Sequence, residues 1–327
     1  MPDLDLAAVR AFVTAVDEGQ FSHAAAMLGI SQQAVSKRVA KLEAQLGAAL
    51  FDRVPAGIAA TAAGRRLLPH ARSLLTMADV AVAAVRDDPR PLRVAVQGER
   101  QGAFEQMRFY ADRNPESDTE IVISTTSVTS RDMLVGGRAD AAFARPQGGP
   151  RPLPPEIAAV PAYLDVAHLL VGRNHPLARR SSVTLRELGD MTVWIPGAAI
   201  PSEWADFYRA LSEFCGVTID TTSRADLGGS SRTGAHSDGI TAMLDIIGGS
   251  ATVATISGDN FRDPWHPHIR RLPIVDPAPA YPHALLWSTA NSHPGLPALV
   301  SYFRDNYNRD IAVGCWIPEP DRDLFLP

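Results

Sequence analysis

Residues 21–53, FSHAAAMLGISQQAVSKRVAKLEAQLGAALFDR, contain the clearest structural pattern in the first part of this chain. Its spacing predicts a short alanine-rich helix, which Ser22 can cap and which Gly29 ends in a tight turn. Ser31 can then cap a longer helix that closes at a second glycine. A helix, a turn of about three residues and a second helix are typical of a helix-turn-helix. We therefore predict this motif over residues 21–40.

The longer helix has two chemically different faces. Apolar residues recur at helical spacing on one side, at Val35, Val39, Leu42 and Leu46. Polar and basic residues occupy the rest: Ser31, Gln32, Gln33, Ser36, Lys37, Arg38 and Lys41. Amides and hydroxyls near a helix N-terminus can read base edges in the major groove, and basic side chains further along neutralise phosphates. This face is a candidate DNA-binding surface, and the alternative is the solvated face of an ordinary helical bundle.

The charge of the chain is unevenly distributed. The formal net charge is -5 over 327 residues, which argues against a protein that coats nucleic acid or membrane over its whole surface. Residues 31–72 nevertheless carry seven basic side chains against two acidic ones, a local excess of +5. A mildly acidic body therefore carries one basic face.

Further helices flank this motif. Leu6, Val9, Val13 and Val16 form one apolar face of a first helix that Gly19 stops. A heptad seam suited to another helix follows the motif, at Leu67, Ala71, Leu74, Ala78, Ala81 and Val85. Pro69 should kink or restart that helix. The seam favours dimerisation, and the alternative is a helix packed on its own domain.

The stretch at residues 21–53 resembles the DNA-binding signature of LysR-type transcriptional regulators. The matching residues are Ala24, Ala25, Leu28, Ser31, Gln32, Ala34, Val35, Ser36, Leu42, Glu43, Leu46, Gly47, Leu50, Phe51 and Arg53. Ile58, Thr61 and Gly64 continue the pattern through a β-hairpin wing, residues 54–60, whereas Ala60 replaces the usual leucine. The wing has no basic residue. The resemblance thus implies that Arg53 and the longer helix supply most contacts to the DNA backbone.

Beyond residue 91 the pattern changes to alternating strands and helices. Strands are predicted at 93–97, 119–125 and 139–144, and helices at 102–113 and 131–137, which indicates βαβ units and a parallel sheet. Residues 133–145 and 167–179 resemble segments of the LysR effector domain. The resemblance implies an α/β fold with two subdomains of periplasmic-binding-protein type joined by a hinge.

The expected domain boundaries follow from these patterns and the resemblance. They are a winged helix-turn-helix domain at 1–61, a linker helix at 62–91, an effector domain at 92–310 and a tail at 311–327. Within the effector domain, subdomain I comprises 92–162 and 267–310, and subdomain II comprises 163–266. The polar stretch 220–238 is either a loop over the ligand cleft or an expanded loop.

The resemblance also implies a small effector held between the subdomains. The candidate effector-binding residues are Gln97, Thr125, Thr126, Ser127, Thr129, Trp194, Ile195 and Gly249. Hydroxyls and free amides before a helix favour an anion, so a carboxylate effector is the hypothesis. The alternative is that these hydroxyls only cap the helix.

Other classes of protein find little support in the sequence. It lacks nucleophile-elbow, P-loop, Rossmann and zinc-helix patterns, so we expect no enzyme and no cofactor. His266 and His268 read as an exposed loop, so no metal is expected. Cys215 and Cys315 lie far apart without a partner motif, which predicts reduced thiols. The acidic start and the lack of a long apolar run predict a cytoplasmic protein without a membrane partner.

The sequence therefore predicts a LysR-type regulator. By resemblance, its partners are double-stranded promoter DNA, a small-molecule effector, RNA polymerase and further copies of itself, as a homodimer and a homotetramer that bends the promoter. The alternatives are a small-molecule binding protein without a transcriptional role, exported or not, and a structural DNA-binding protein. The N-terminal motif disfavours the first of these, and the long α/β region disfavours the second.

Overall fold

The computed structural model describes residues 4–54, 57–86, 90–125, 128–223 and 239–326. The chain divides into two compact units. The N-terminal unit is Met1–Arg90 with Val135–Ala139, and the C-terminal unit is Pro91–Leu134 with Asp140–Pro327. Within the described ranges, no helix has both the length and the apolar character that a membrane crossing needs.

The N-terminal unit is a helical domain with a hairpin. Its elements are α1 (Leu6–Glu18), α2 (Phe21–Leu28), α3 (Gln32–Leu46), β1 (Phe51–Val54), β2 (Gly57–Ala60) and α4 (Ala62–Arg86). The strands β1 and β2 pair antiparallel. Together these elements confirm the predicted winged helix-turn-helix and its following long helix.

The helix ends are mostly those that the sequence predicts. The helices α1, α2 and α3 each end at a left-handed glycine, with φ of 67°, 63° and 65° at Gly19, Gly29 and Gly47. Ser31 caps α3, because its Oγ accepts from the amide of Ala34 at 3.2 Å. The predicted cap at Ser22 is wrong: Gln20 occupies the cap position two residues earlier, and Ser22 lies inside the helix.

The long helix α4 is partly built into its own unit. Ala71 and Leu75 are buried against α1 and α3, in a cluster that includes Phe12 and Leu42. Leu67 and Ala71 of the predicted seam therefore pack in the core of their own domain, as the alternative to dimerisation expects. Further along, Leu74, Met77 and Val82 are 40%, 67% and 50% exposed. The helix continues through Pro69 without the predicted restart.

The C-terminal unit is a mixed α/β structure. Its helices are α5 (Gly102–Arg113), α6 (Ser130–Val135), α7 (Leu185–Gly189), α8 (Glu203–Cys215), α9 (Gly239–Gly249), α10 (Leu296–Asn306), α11 (Asp310–Val313) and α12 (Arg322–Phe325). Its strands are β3 (Leu92–Val96), β4 (Thr119–Ile123), β5 (Ala141–Ala144), β6 (Ile157–Gly172), β7 (Val183–Thr184), β8 (Thr192–Trp194), β9 (Thr218–Asp220), β10 (Ala254–Gly258), β11 (Ile269–Val275), β12 (Ala278–Ser288) and β13 (Cys315–Trp316). This alternation confirms the predicted α/β class.

Most of these strands form a sheet in the order β4-β3-β5-β12-β6-β11-β7, with β10 on β6 and β13 on β12. The strand β3 pairs parallel with β4 and β5, as the βαβ pattern predicts. The long strands β6 and β12 pair antiparallel, with an irregularity between His283 and Ala284. They are the two chain crossings that the resemblance implies.

Two hydrophobic cores among the described residues divide the C-terminal unit into lobes. Lobe I surrounds a core with Tyr110, Phe143 and Phe303, and lobe II surrounds a core with Leu169 and Leu211. The strand β6 contributes to both cores, so it connects the lobes directly.

The strand β11 lies in a different lobe from the one that the sequence analysis gives it. Leu272 and Ile274 pack in the core of lobe II, and β11 pairs with the end of β6 at residues 168–172. The return to lobe I therefore takes place along β12 and not at residue 267. The strand β11 directly precedes the crossing strand β12. Its own sequence does not show which core it joins, because both cores are apolar.

Candidate DNA-binding surface and ligand cleft

The helix α3 presents the polar face that the sequence predicts. Ser31, Gln32, Gln33, Ser36, Lys37 and Lys41 are exposed, and Arg38 is half-buried. Val35, Val39 and Leu42 on the opposite face are fully or almost fully buried. The burial of that face fixes the rotation of the helix, so the polar side chains must face solvent.

Several of these exposed side chains surround a shallow depression on the surface. It is lined by Gln32, Gln33, Ser36, Lys37 and Ala40. The small side chain of Ala40 leaves the concavity open between the longer amides and the lysine. Donors and acceptors therefore converge on one patch near the N-terminus of α3.

Two of the basic residues that the sequence predicts to contact DNA, Lys41 and Arg53, do not line this depression. Lys41 Nζ lies 2.9 Å from Asp5 Oδ2, and the two side chains are 58% and 36% exposed. That hydrogen bond is the main reason that the pKa of Asp5 lies below its usual value. Lys41 is thus already paired within the N-terminal unit. Arg53 lies on β1, and its side chain is outside the described part of the structure.

Other signature residues hold the wing in place instead of facing outward. The Glu43 carboxylate accepts from the amides of Leu50 and Phe51 at 2.7 and 3.3 Å. Thr61 Oγ1 donates to the carbonyl of Ala49 and accepts from the amide of Gly64. A Cβ at Gly64 would come within 2.4 Å of the Leu50 carbonyl oxygen, so only glycine fits there.

A narrow cleft lies between the two lobes of the C-terminal unit. It is lined by Gln97, Gln101, Ala103, Thr129, Ser130, Phe143, Ala144, Glu203, Tyr281 and His283. Glu203 begins α8 of lobe II, whereas Gln97 and Thr129 belong to lobe I. Two of the predicted effector residues, Gln97 and Thr129, therefore meet at one cleft.

Of the other predicted effector residues, those that the structure describes, Thr125, Trp194, Ile195 and Gly249, are not among the residues that line this cleft. Ile195 is buried in the core of lobe II, and Trp194 Nε1 donates to the carbonyl of Thr222 at 2.8 Å. Gly249 ends α9, with open space around its Cα. Thr126 and Ser127 lie outside the described residues.

The hydroxyls before α6 are used locally. Thr129 Oγ1 lies 2.9 Å from Asp132 Oδ2 and accepts from the amide of Asp132 at 3.2 Å. Thr125 Oγ1 accepts from the amide of Val128 at 3.1 Å. Thr129 therefore serves the start of α6, as the helix-cap alternative expects, and Asp132 disfavours an anion at that position. Thr125 instead closes the turn before the helix.

Sequence reasoning missed the aromatic floor of the cleft. The ring of His283 stacks on Tyr163, with centroids 4.4 Å apart, and lies 4.8 Å from Tyr281. Burial lowers the pKa of His283 to about 3, so the imidazole is neutral. The alternation of Tyr281 and His283 within an apolar strand could have placed both on one face. Nothing in the sequence indicates Glu203 as their neighbour.

A buried carboxylate lies on the lobe II side of the same stack. Asp165, on β6, accepts from the amide of Asn260 at 2.6 Å and is 8% exposed. Burial raises its pKa to about 6. The pKa of Tyr163 lies well above its usual value, mainly because the phenol is buried and also because of the charge of Asp165.

Comparisons with known proteins agree with this architecture. Residues 6–65 match the family of bacterial regulatory helix-turn-helix proteins of LysR type, and residues 106–308 match the LysR substrate binding domain. A probable hydrogen peroxide-inducible genes activator of Mycobacterium avium is 34% identical over 200 residues, which cover 57% of this chain and 60% of that protein. The chain thus matches less than two thirds of that relative's length.

Solved structures show the same fold. Full-length OxyR from Pseudomonas aeruginosa, in a single-residue variant, superposes with a TM-score of 0.60 and 20% identity, over 92% of this chain and 98% of that one. Full-length CbnR in complex with its target DNA gives a TM-score of 0.60 and 21% identity, over 92% and 99%. With both family models matched over most of its length, this chain belongs to the LysR family of bacterial regulatory helix-turn-helix proteins.

Proposed function

We propose that the chain is a LysR-type transcriptional regulator that binds promoter DNA through α3 and responds to a small molecule between its lobes. The observation that carries this proposal is the exposed, convergent set of Gln32, Ser36 and Lys37 on a capped helix of a winged helix-turn-helix. The family of the chain and its curated relatives, which are transcriptional regulators, support a regulator and not an enzyme. Because it acts on DNA, we place it in the cytoplasm.

We assign the DNA contacts to particular side chains. Gln32, Gln33 and Ser36 would read base edges, since they surround the N-terminal depression of α3. Ser31, Lys37, Arg38, Lys41 and Arg53 would contact phosphates. We divide the chain accordingly into a DNA-binding domain at 1–61, a dimerising linker at 62–91, an effector domain at 92–310 and a tail.

The second half of α4 supports self-association. Leu74, which belongs to the predicted seam, is an exposed apolar side chain, and so are Met77 and Val82, which lie outside the seam on the same helix. We propose that two copies pair along it, and that pairs of dimers form a tetramer that bends the promoter and contacts RNA polymerase.

The cleft suggests what kind of effector it would hold. The N-terminus of the 12-residue helix α5 lies at the cleft, where Ala103 lines it and Gln101 makes no side-chain cap. The positive end of a helix favours a carboxylate. Glu203 on the facing lobe favours a hydroxyl or amino donor instead. We propose a small molecule with a carboxylate at one end and a hydrogen-bond donor at the other.

The relative from Mycobacterium avium raises the question of peroxide as the signal. Burial raises the pKa of both Cys215 and Cys315, which keeps these thiols protonated. A protonated thiol is a poor nucleophile toward peroxide. We therefore propose that this chain responds to a bound molecule and not to oxidation of its cysteines.

A mobility shift with the full-length protein and the DNA upstream of its own gene tests the DNA-binding function. The doubly substituted variant Gln32→Ala/Ser36→Ala should lose affinity for that DNA but keep its affinity for random-sequence competitor, because base contacts carry the specificity. Gln147→Ala, an exposed glutamine in the C-terminal unit, serves as the matched control. Equal loss on both DNAs would remove Gln32 and Ser36 from base recognition, and no saturable shift for the unmodified protein would contradict the function.

A further inference from the structure

The last residues of the chain extend the C-terminal unit beyond the part that matches the LysR substrate binding domain, which ends at residue 308. The short strand β13 pairs parallel with β12, with Cys315 opposite Ala278 and Trp316 opposite Pro279. Because β12 is one of the two strands that cross between the lobes, this pairing attaches the tail to a crossing strand.

A second contact fastens the same segment to lobe II. Trp316 is 6% exposed and belongs to the core of that lobe. Its ring lies 5.7 Å from Phe207 and stacks on Phe214 at 5.2 Å, and both phenylalanines are on α8. The segment is therefore packed on lobe II and is not a loose end.

A third contact reaches lobe I. Arg145 directly follows β5, and its Nε donates to Asp321 Oδ2 at 2.7 Å. The two side chains are only 3% and 0% exposed. Arg145 Nη1 also donates to the carbonyl of Glu203 at 3.0 Å, at the start of α8. One arginine of lobe I thus joins the tail and lobe II beside the cleft.

The segment also touches the other crossing strand. The helix α12 packs against β6, and Phe325 in that helix is completely buried. Tyr307 Oη donates to the carbonyl of Phe325 at 3.0 Å, which holds the helix close to the end of α10. Both crossing strands are therefore braced from outside by the tail.

The buried ion pair is not arranged for maximum stability. Only one oxygen of Asp321 faces the arginine, and its Oδ1 has no hydrogen-bond partner among the described residues. Burying two charges costs desolvation energy that one such contact barely recovers. A pair of this kind specifies one arrangement of the parts that it joins, and removal of one partner leaves a buried charge that drives those parts apart.

We infer that residues 315–325 form a strap that ties lobe I to lobe II and restricts the opening of the hinge. The strap joins Arg145 of lobe I to the core of lobe II and lies along β12 and β6. Its release would let the lobes separate without unfolding either core. This inference goes beyond the proposed regulator function, because it concerns the hinge of this chain whatever molecule the cleft takes.

Hydrogen exchange of the full-length protein, followed by mass spectrometry, tests the strap. In Asp321→Asn, amides at 97–103 and 203–207, which face each other across the cleft, should exchange at least about tenfold faster. The amides of α10 in lobe I and of β10 in lobe II should keep their exchange rates, since both cores stay folded. The control is Arg322→Gln, which breaks the exposed pair with Glu319 in the same tail and should change nothing at the cleft.

Trp316→Leu provides a second variant, which releases the strap from lobe II without leaving a charge buried. Faster exchange at the cleft in either variant, with protected cores, supports the strap. Faster exchange confined to residues 309–326 would overturn it, as would uniformly faster exchange in both variants, since the tail would then be ordinary core. The measurement needs neither DNA nor effector, so its failure is distinguishable from failure of the proposed regulator function.

Discussion

Two lysines on α3 illustrate how one residue type takes different roles on the same helix. Lys37 lines the depression at the start of the helix. Lys41 lies one turn further and forms a hydrogen bond with Asp5 at 2.9 Å. An exposed ion pair of this kind is weak, so DNA could displace Asp5, but Lys41 must then exchange one anion for another.

This difference gives a prediction about the salt dependence of DNA binding. Lys37→Ala should lower the log-log slope of affinity against salt concentration by about one, because one phosphate contact is lost. Lys41→Ala should lower it by less, since Asp5 already neutralises that lysine. Titrations at several salt concentrations measure both slopes. Equal slopes for the two variants would mean that the pair between Lys41 and Asp5 breaks completely when the protein binds DNA.

Asp165 predicts how the stability of the C-terminal unit depends on pH. Its pKa is about 6 in the folded chain, against an ordinary value of 3.8. Between these two values the unfolded chain has lost the proton that the folded chain retains, so stability falls as the pH rises from about 4 to 6. Asp165→Asn should therefore raise the free energy of unfolding at pH 7.5, by up to about 3 kcal/mol, and change it little at pH 4.

His283 should give the opposite dependence of stability on pH. Denaturant unfolding at several pH values measures both effects. The pKa of His283 falls from 6.5 to about 3 on folding, so its contribution to stability is present above pH 6.5 and is lost as the pH falls toward 3. His283→Phe should thus make the protein less sensitive to acid. A stability of Asp165→Asn that parallels the unmodified protein at every pH would show that the carboxyl is not buried as described.

At the scale of helices and strands, local signals predicted most of the fold. Glycines with left-handed backbone, the Ser31 cap and apolar periodicity fix α1, α3 and α5 without reference to the rest of the chain. The assignment of β11 to a lobe and the meeting of Glu203 with Tyr281 depend on contacts between residues distant in sequence. No local pattern encodes such contacts, so the DNA-binding face was predictable and most of the cleft was not.

Part of α4 packs in the core of its own domain and part of it is exposed. The exposed part gives a prediction. Met77 is 67% exposed, so Met77→Glu should not affect the folding of the monomer. It should weaken the proposed dimer, because it places a charge among the exposed apolar side chains along which we propose that two copies pair. Sedimentation across a range of concentrations measures the change in association. His70→Glu, at an exposed position on the same helix, is the control and should leave association unchanged.

At the scale of the whole molecule, the two cysteines give a prediction about signalling. Both thiols are partly buried with raised pKa values, so peroxide should leave the affinity for DNA unchanged within about twofold. Cys215→Ser and Cys315→Ser should behave like the unmodified protein in the same mobility shift. A loss or gain of binding that peroxide causes, and that either serine variant abolishes, would instead identify a redox sensor.

The order of strands in the C-terminal sheet has a consequence for synthesis on the ribosome. The helices and hairpin of the N-terminal unit come almost entirely from the first 86 residues, so this unit can fold as soon as they emerge. The strand β5 must wait for its neighbour β12, which is made near the end of the chain. Until then its edge is open to pairing with other chains. A nascent or truncated polypeptide would thus carry a finished DNA-binding head on an unfinished, aggregation-prone sheet.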